Sequence, residues 1–204
     1  MIPDAAGIYT EAEPPLAYDP ALEAYRDTEG YAYNPALDAW KKVWPDGEKP
    51  LIPTMTSYAD MTNNGVGNAS VDSENKGGGG YQYFSWSAFN SGDNDCWVSK
   101  YTANEHYAAF VFYEMTRVKR VEVRFRSTPA NIYQPIAHIQ YTEDGSTWAD
   151  LWEGRTNDGT EGSDKTISTD LNKTIKGVRI YTPAGYSGTY DQKYLGAYYI
   201  QCWQ

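Results

Sequence analysis

Residues Tyr81–Trp97 read YQYFSWSAFNSGDNDCW, and Tyr141–Trp148 read YTEDGSTW. In the first stretch an aromatic cluster leads into Ala88-Phe89 and then into a turn of Asn, Gly and Asp that closes on Trp97. In the second a strand-like run ends in Glu143-Asp144-Gly145, a strong hairpin signal, and again closes on a tryptophan. Turn chemistry held between aromatic anchors points to a β-protein.

The surrounding sequence agrees. Val118–Arg126 (VKRVEVRFR) alternates, with Val121, Val123 and Phe125 on one face and Glu122, Arg124 and Arg126 on the other. Further strands are expected at Ala69–Ser73, His106–Phe112, Ala137–Thr142, Thr147–Leu151, Lys165–Asp170, Lys176–Thr182 and Leu195–Trp203. No helical stretch separates them, so a parallel α/β sheet is excluded. Turns recurring every eight to twelve residues or so suit a sandwich or jelly roll.

Residues 1–53 differ from the rest. They hold ten acids, four bases and eight of the prolines. Within them Ala17–Tyr25 (AYDPALEAY) repeats as Ala32–Trp40 (AYNPALDAW), fifteen residues on. Asp19-Pro20 and Asn34-Pro35 have the form of an N-cap followed by proline at the first helical position, so two short helices are expected. Neither is long enough to stand alone in water. Two readings are open: the helices pack on the C-terminal sandwich, or they form an arm that docks on a larger assembly. The expected division is an arm at 1–53 and a β-domain at 54–204.

Composition narrows the partners. The formal net charge is −10, which argues against nucleic acid and anionic membrane, since both require a basic footprint. The chain has 19 Tyr and 7 Trp against 5 Phe, and Tyr and Trp offer a flat apolar face with a polar tip. That suits sugar faces and interfaces as well as half-buried strands. Cys96 and Cys202 do not make a disulfide framework, and two free, buried thiols are expected. No stretch approaches the length of an apolar membrane span, and MIPDAAGIYTEAEPP lacks the basic and apolar regions of a signal peptide.

From Thr54 to the end the sequence resembles discoidin, or factor V/VIII C-type, domains and family 32-like carbohydrate-binding modules. The resemblance rests on Ala69–Ser73, on Ala88–Asp93 with Trp97 nine residues after Ala88, on Val118–Arg126, on the Ile139–Trp148 hairpin and on Gly177–Tyr181. It implies an all-β, galactose-binding-like jelly-roll β-sandwich with ligand loops at one end. Those loops correspond here to Glu74–Tyr83, Ser127–Gln134 and Pro183–Lys193. In them Tyr81, Tyr83, Tyr133, Tyr186 and Tyr190 are candidate aromatic plates; Asn131, Gln134 and Asp191, with Arg126 just before the second loop, are candidate polar forks. The alternative for each tyrosine is a cap on the end of the sandwich.

The family's structural calcium would fall on Asn90, Asp93 and Asp95. Two departures weaken that set: Asn90 replaces an aspartate, and Ala197 stands where a glutamate is expected. Asn157–Asp164 reads as an acidic loop without a role.

Nothing points to an enzyme. Gly185-Tyr186-Ser187-Gly188 lacks the spacing of a nucleophile elbow, Gly77–Gly80 lacks the Lys-Ser/Thr of a phosphate loop, and no His/Cys cluster has zinc spacing. The expectation is a non-catalytic binder of surface glycans. A glycan binder without an export signal fits a phage virion component (tail, fibre or head decoration) that leaves the cell by lysis. Residues 1–53 would anchor it to other virion proteins, as a homo-oligomer or in many copies. The alternatives are a carbohydrate-binding module of a secreted glycoside hydrolase and a purely structural virion protein.

Overall fold

The structure, a computed structural model, describes the backbone of residues 16–19, 24–27, 30–34 and 39–44, and residues 48–204 without 76–82, 91–94, 101, 103, 127–135, 157–163 and 185–193. The chain divides into two compact units, Met1–Lys49 and Pro50–Gln204. The boundary lies four residues before the expected one, because the segment at Pro50 is already part of the second unit. Pro50 bridges Trp203, Leu51 N–H donates to Cys202 C=O at 2.8 Å, and Ile52 is buried.

The first unit corrects the expected helices. Strands β1 (Leu16–Asp19) and β2 (Ala24–Asp27) pair antiparallel, as do β3 (Gly30–Asn34) and β4 (Ala39–Trp44). Each copy of the repeat is one hairpin. Asp-Pro and Asn-Pro suit the first two positions of a type I turn as well as they suit a helix start. An isolated helix of so few residues is unstable, whereas the hairpin register sets Tyr18 opposite Tyr25 and Tyr33 opposite Trp40.

In the second unit a one-turn helix α1 (Asp60–Asn63) precedes β5 (Gly67–Val71). A 3-10 turn (Ser85–Ala88) and the two-residue β6 (Trp97–Val98) follow. Then come β7 (His106–Phe125), β8 (Ile136–Thr142), β9 (Ala149–Arg155), β10 (Lys165–Thr182) and β11 (Gly196–Trp203). All eight strands expected from the sequence are present, but four of them fuse in pairs into the long β7 and β10.

Strands β7 and β10 pair along almost their whole length and carry both layers of the sandwich. The first half of β7 pairs with β5 and with Gly177–Thr182, which in turn pairs with β8 and through it with β9. The second half pairs with Lys165–Ile175 and with β11, whose outer neighbour is β6. Between the halves the register slips: Ile175 faces Thr116, but Gly177 faces Val111. The extra β7 residues bulge outward, with Tyr113 and Met115 exposed, and a bulge of this kind bends a strand from one layer to the next. A second slip leaves Leu171 and Asn172 opposite Lys119, with Asn172 at φ +53°, a left-handed value Asn tolerates.

Inward residues of both layers form one core around Trp97, Phe110, Phe112 and Phe125, each at most 1% exposed. Burial of this apolar surface is the main drive for folding. Aromatic types partition as their chemistry requires. Four of the five Phe are buried, while no described tyrosine is, so the hydroxyls stay near water or partners. Among the described residues no helix is long and apolar enough to cross a membrane.

Two glycines let the neighbouring strands close on β7 beside Phe110 and Val111. A Cβ on Gly67 would lie 2.4 Å from Val111 C=O, and one on Gly177 2.7 Å from Phe110 C=O. Gly177→Ala is expected to cost at least about 2 kcal/mol in urea unfolding, by overpacking against fixed backbone. An unchanged midpoint would mean that the ladder yields there.

The 141–148 hairpin closes as its sequence predicts. Asp144 Oδ1 accepts from the Ser146 and Thr147 amides at 2.7 Å and from Thr142 Oγ1 at 3.0 Å, and Gly145 takes φ +83°. The Thr147 and Ser146 hydrogen bonds favour the ionised form, so Asp144 titrates well below the usual carboxylate range. Its contribution to stability is therefore complete above the unfolded value, about pH 4, and fades as pH falls further. Replacing it by Asn should flatten the acid limb of a thermal-stability profile. An unaltered acid limb would remove the turn from the account.

Candidate functional site

The strand registers fix where the loops gather. In one layer the end of β5, the start of β7, the end of β10, the start of β8 and the end of β9 lie side by side. In the other the end of β7, the start of β10 and the start of β11 do so. Because β7 and β10 double over at the bulge, both groups lie at the same end. The roots of all three candidate loops therefore converge there, together with the root of 156–164.

The roots are held by polar contacts, most of them half-buried. Asp72 Oδ2 meets Nδ1 of buried His106 at 2.7 Å, and its Oδ1 accepts from Tyr107 N–H at 2.8 Å. Glu74 Oε2 accepts from the Ser85 amide, Ser85 Oγ and Tyr58 Oη at 2.6–2.8 Å. Trp97 Nε1 donates to Ser73 C=O at 2.8 Å. His106 is thus a buried side chain held by Asp72.

At this end Tyr83 and Arg126 come together. The Arg126 guanidinium lies 4.7 Å from the Tyr83 ring centre, its Nη2 donates to Tyr83 Oη at 3.3 Å, and its Nη1 donates to Cys96 Sγ at 2.6 Å. The Arg126 amide donates to Gly196 C=O at 2.9 Å. A Cβ on Gly196 would press on Arg126 Cβ and Trp97 C=O, both at 3.2 Å, so glycine permits this approach. Beside this pair stands a second one. Arg124 lies 4.6 Å over the Tyr198 ring, and its Nη2 is 3.6 Å from Asp164 Oδ2. Burial, then the neighbouring Asp164 carboxylate, raises the Tyr198 hydroxyl above its ordinary pKa. Cys96 and Val98 pack with Tyr83, Tyr194 and Tyr198 into a small cluster beneath.

Two half-buried tyrosine rings carrying stacked guanidinium forks can meet both faces of a polyol: C–H groups on the ring, hydroxyls on the fork. Sequence reasoning named Tyr83 and Arg126 and missed Arg124, Cys96, Asp164, Tyr194 and Tyr198. The outward alternation of Arg124 with Arg126 was the available signal. Tyr81, Asn131, Tyr133, Gln134, Tyr186, Tyr190 and Asp191 lie outside the described residues.

The donors expected for calcium are few. Asn90 closes the 3-10 turn, its amide donating to Ser87 C=O at 3.2 Å, and Asp95 is exposed. Asp93 lies outside the described residues. Ala197, at the place of the family's carboxylate, is fully buried in register with Trp97 and Phe125. Calcium takes six to eight oxygens, carbonyls and waters included, and Asn90, Asp93 and Asp95 are the side chains that would supply part of them.

No family model matches the sequence, and no curated protein matches it either. Solved structures do match. One is the family 32 carbohydrate-binding module of Clostridium perfringens NanJ, solved in complex with galactose. It matches at TM-score 0.52 and 15% identity, over 77% of this chain and 99% of that one. The fold is the galactose-binding-like β-sandwich. A second family 32 module, produced by Clostridium perfringens and solved with GlcNAc-α-1,4-galactose, matches at TM-score 0.50 and 14% identity, over 74% of this chain and all of that one. At these identities the likeness is one of fold.

The thiols are free and buried. Burial raises Cys202 far above an ordinary thiol, and raises Cys96 too, partly offset by Arg126. Neither should react with an aromatic disulfide reagent in the native state, and both should react on unfolding. Rapid modification of one thiol in the native protein would show that the floor of the cluster opens.

Proposed function

We propose that the sandwich is a non-catalytic carbohydrate-binding module whose site is the loop end around Tyr83 and Arg126. The observation that carries this reading is the Arg126–Tyr83 stack at the convergence of the loops, 4.7 Å from guanidinium to ring centre. The fold supports it, since the NanJ module of the same fold was solved with galactose. Tyr81, Asn131, Tyr133, Tyr186, Tyr190 and Asp191 complete the site from the surrounding loops.

We further propose that the protein works as a multicopy attachment component of a phage virion, anchored by residues 1–49 and binding host or environmental surface glycans. The path of the chain supports display. It joins the sandwich at Pro50, which bridges Trp203 at the end of β11, and the ligand end lies at the start of that strand. Weak single-site affinity is multiplied by copy number. The rival is a module of a secreted glycoside hydrolase, with which the likeness to family 32 modules is equally consistent. Neighbouring genes separate the two: capsid and tail genes, or polysaccharide-degradation genes.

A glycan array on the full chain tests the site. Binding is expected, and Tyr83→Ala and Arg126→Ala should each weaken it by more than about tenfold, a loss of about 1.4 kcal/mol or more. Tyr133→Ala and Tyr186→Ala should weaken it without unfolding the protein. Absence of binding to any glycan would sink the reading, and loss of fold in the loop variants would make the tyrosines structural caps. Binding should persist in EDTA, because Ala197 stands in place of the family's carboxylate. A signal lost with chelator and restored by calcium would put the ion in that turn.

A further inference from the structure

A second cluster lies on the outer face of the β8–β9 edge, built from residues twelve and fifteen apart in sequence. One donor atom each from His138, Asp150 and Glu153 lies within 4.8 Å of the other two. His138 Nδ1 is already 2.9 Å from Asp150 Oδ1. The ladder explains the grouping. His138 faces Glu153 directly, and Gln140 faces Asp150, with a register slip between that leaves Leu151 unpaired. In a regular strand, residues three apart point to opposite faces. The extra residue turns Asp150 and Glu153 to the same side, the side of His138.

We infer that His138, Asp150 and Glu153 form a binding site for a divalent first-row transition metal, with zinc as its probe. One imidazole and two carboxylates are borderline donors that suit zinc, and three protein ligands leave a position for water or a ligand oxygen. Calcium is a poor fit, since it takes six to eight oxygens and the set includes an imidazole nitrogen. Zinc needs each donor at about 2.0–2.2 Å, so small side-chain rotations close the present triangle. The metal takes the place of the proton between Nδ1 and Oδ1, and the imidazole carries its own proton on Nε2.

The surroundings hold the first ligand in place, as outer partners do in metal sites. Gln140 Nε2 donates to Asp150 Oδ1 at 2.8 Å, and its Oε1 accepts from Arg179 Nε at 2.6 Å. Arg179 is itself fixed, its guanidinium 4.5 Å from the Trp148 ring centre and 4.6 Å from that of Tyr181. Since β9 ends the strand order, a metal here ties an edge strand to its neighbour β8.

The test is a zinc titration of chelator-stripped full-length protein, by calorimetry and by thermal unfolding. Wild type should bind one zinc in this site and unfold at a higher temperature with it. His138→Gln and Glu153→Gln should each lower the affinity by more than about tenfold, with metal-free stability kept. Glu153 is exposed, so its variant carries the test if the His138 variant does not fold. Failure of wild type to bind zinc, or equal affinity in either folded variant, would overturn the assignment. Glycan binding is read separately, so this result and the glycan result can fail independently.

Discussion

The antiparallel ladder between β7 and β10 is the constraint on which the rest of the sandwich depends. Two strands of twenty and eighteen residues stay paired while passing from one layer to the other. The bulge between Val111 and Thr116 makes this possible, and Gly177 on the facing strand gives the room. Among the described strands of this unit, β5, β8 and β11 pair directly with β7 or β10, and only β6 and β9 do not. Doubling the ladder over brings both ends of β7 to one end of the sandwich, and so gathers the roots of loops far apart in sequence near Arg126.

Much of this was legible. The period-two alternation of Val118–Arg126 reports one buried face, and Asp144-Gly145 reports a turn whose geometry only a few residues tolerate. The continuity of β7 was not legible, because Tyr113–Arg117 breaks the alternation in order to cross between layers. A bulge reads in sequence as the end of a strand. The same limit hid the His138 cluster, since one unpaired residue decides which face Asp150 takes. The helix expectation at Asp19 and Asn34 failed for a different reason. Asp-Pro states that the chain changes direction, and only the cross-strand register of the flanking aromatics decides for a hairpin.

The candidate binding site was legible at its fixed part and less so at its supports. Tyr83 and Arg126 carry side chains whose chemistry advertises recognition. Cys96, an apolar-looking thiol in the sequence, turns out to be the acceptor that aims Arg126, which no residue type or spacing announces. Arg124, Asp164 and Tyr198 form a parallel stack whose partners come from three separate segments. Tyrosines, unlike phenylalanines, stop short of full burial throughout the described sandwich, so the hydroxyl acts as a sorting label between core and rim.

The short pairing of Pro50–Ile52 with the end of β11 also bears on mechanics. This segment runs antiparallel to β11, towards the loop end, with the Leu51–Cys202 bond and both Ile52–Gln201 bonds spread along it. A pull that enters through Lys49 and is resisted at the loop end of β11 acts along the strand axis. Those bonds are then loaded together, in shear, rather than opened one after another like a zip. The seam at Pro50 therefore yields to such a pull as one unit rather than residue by residue.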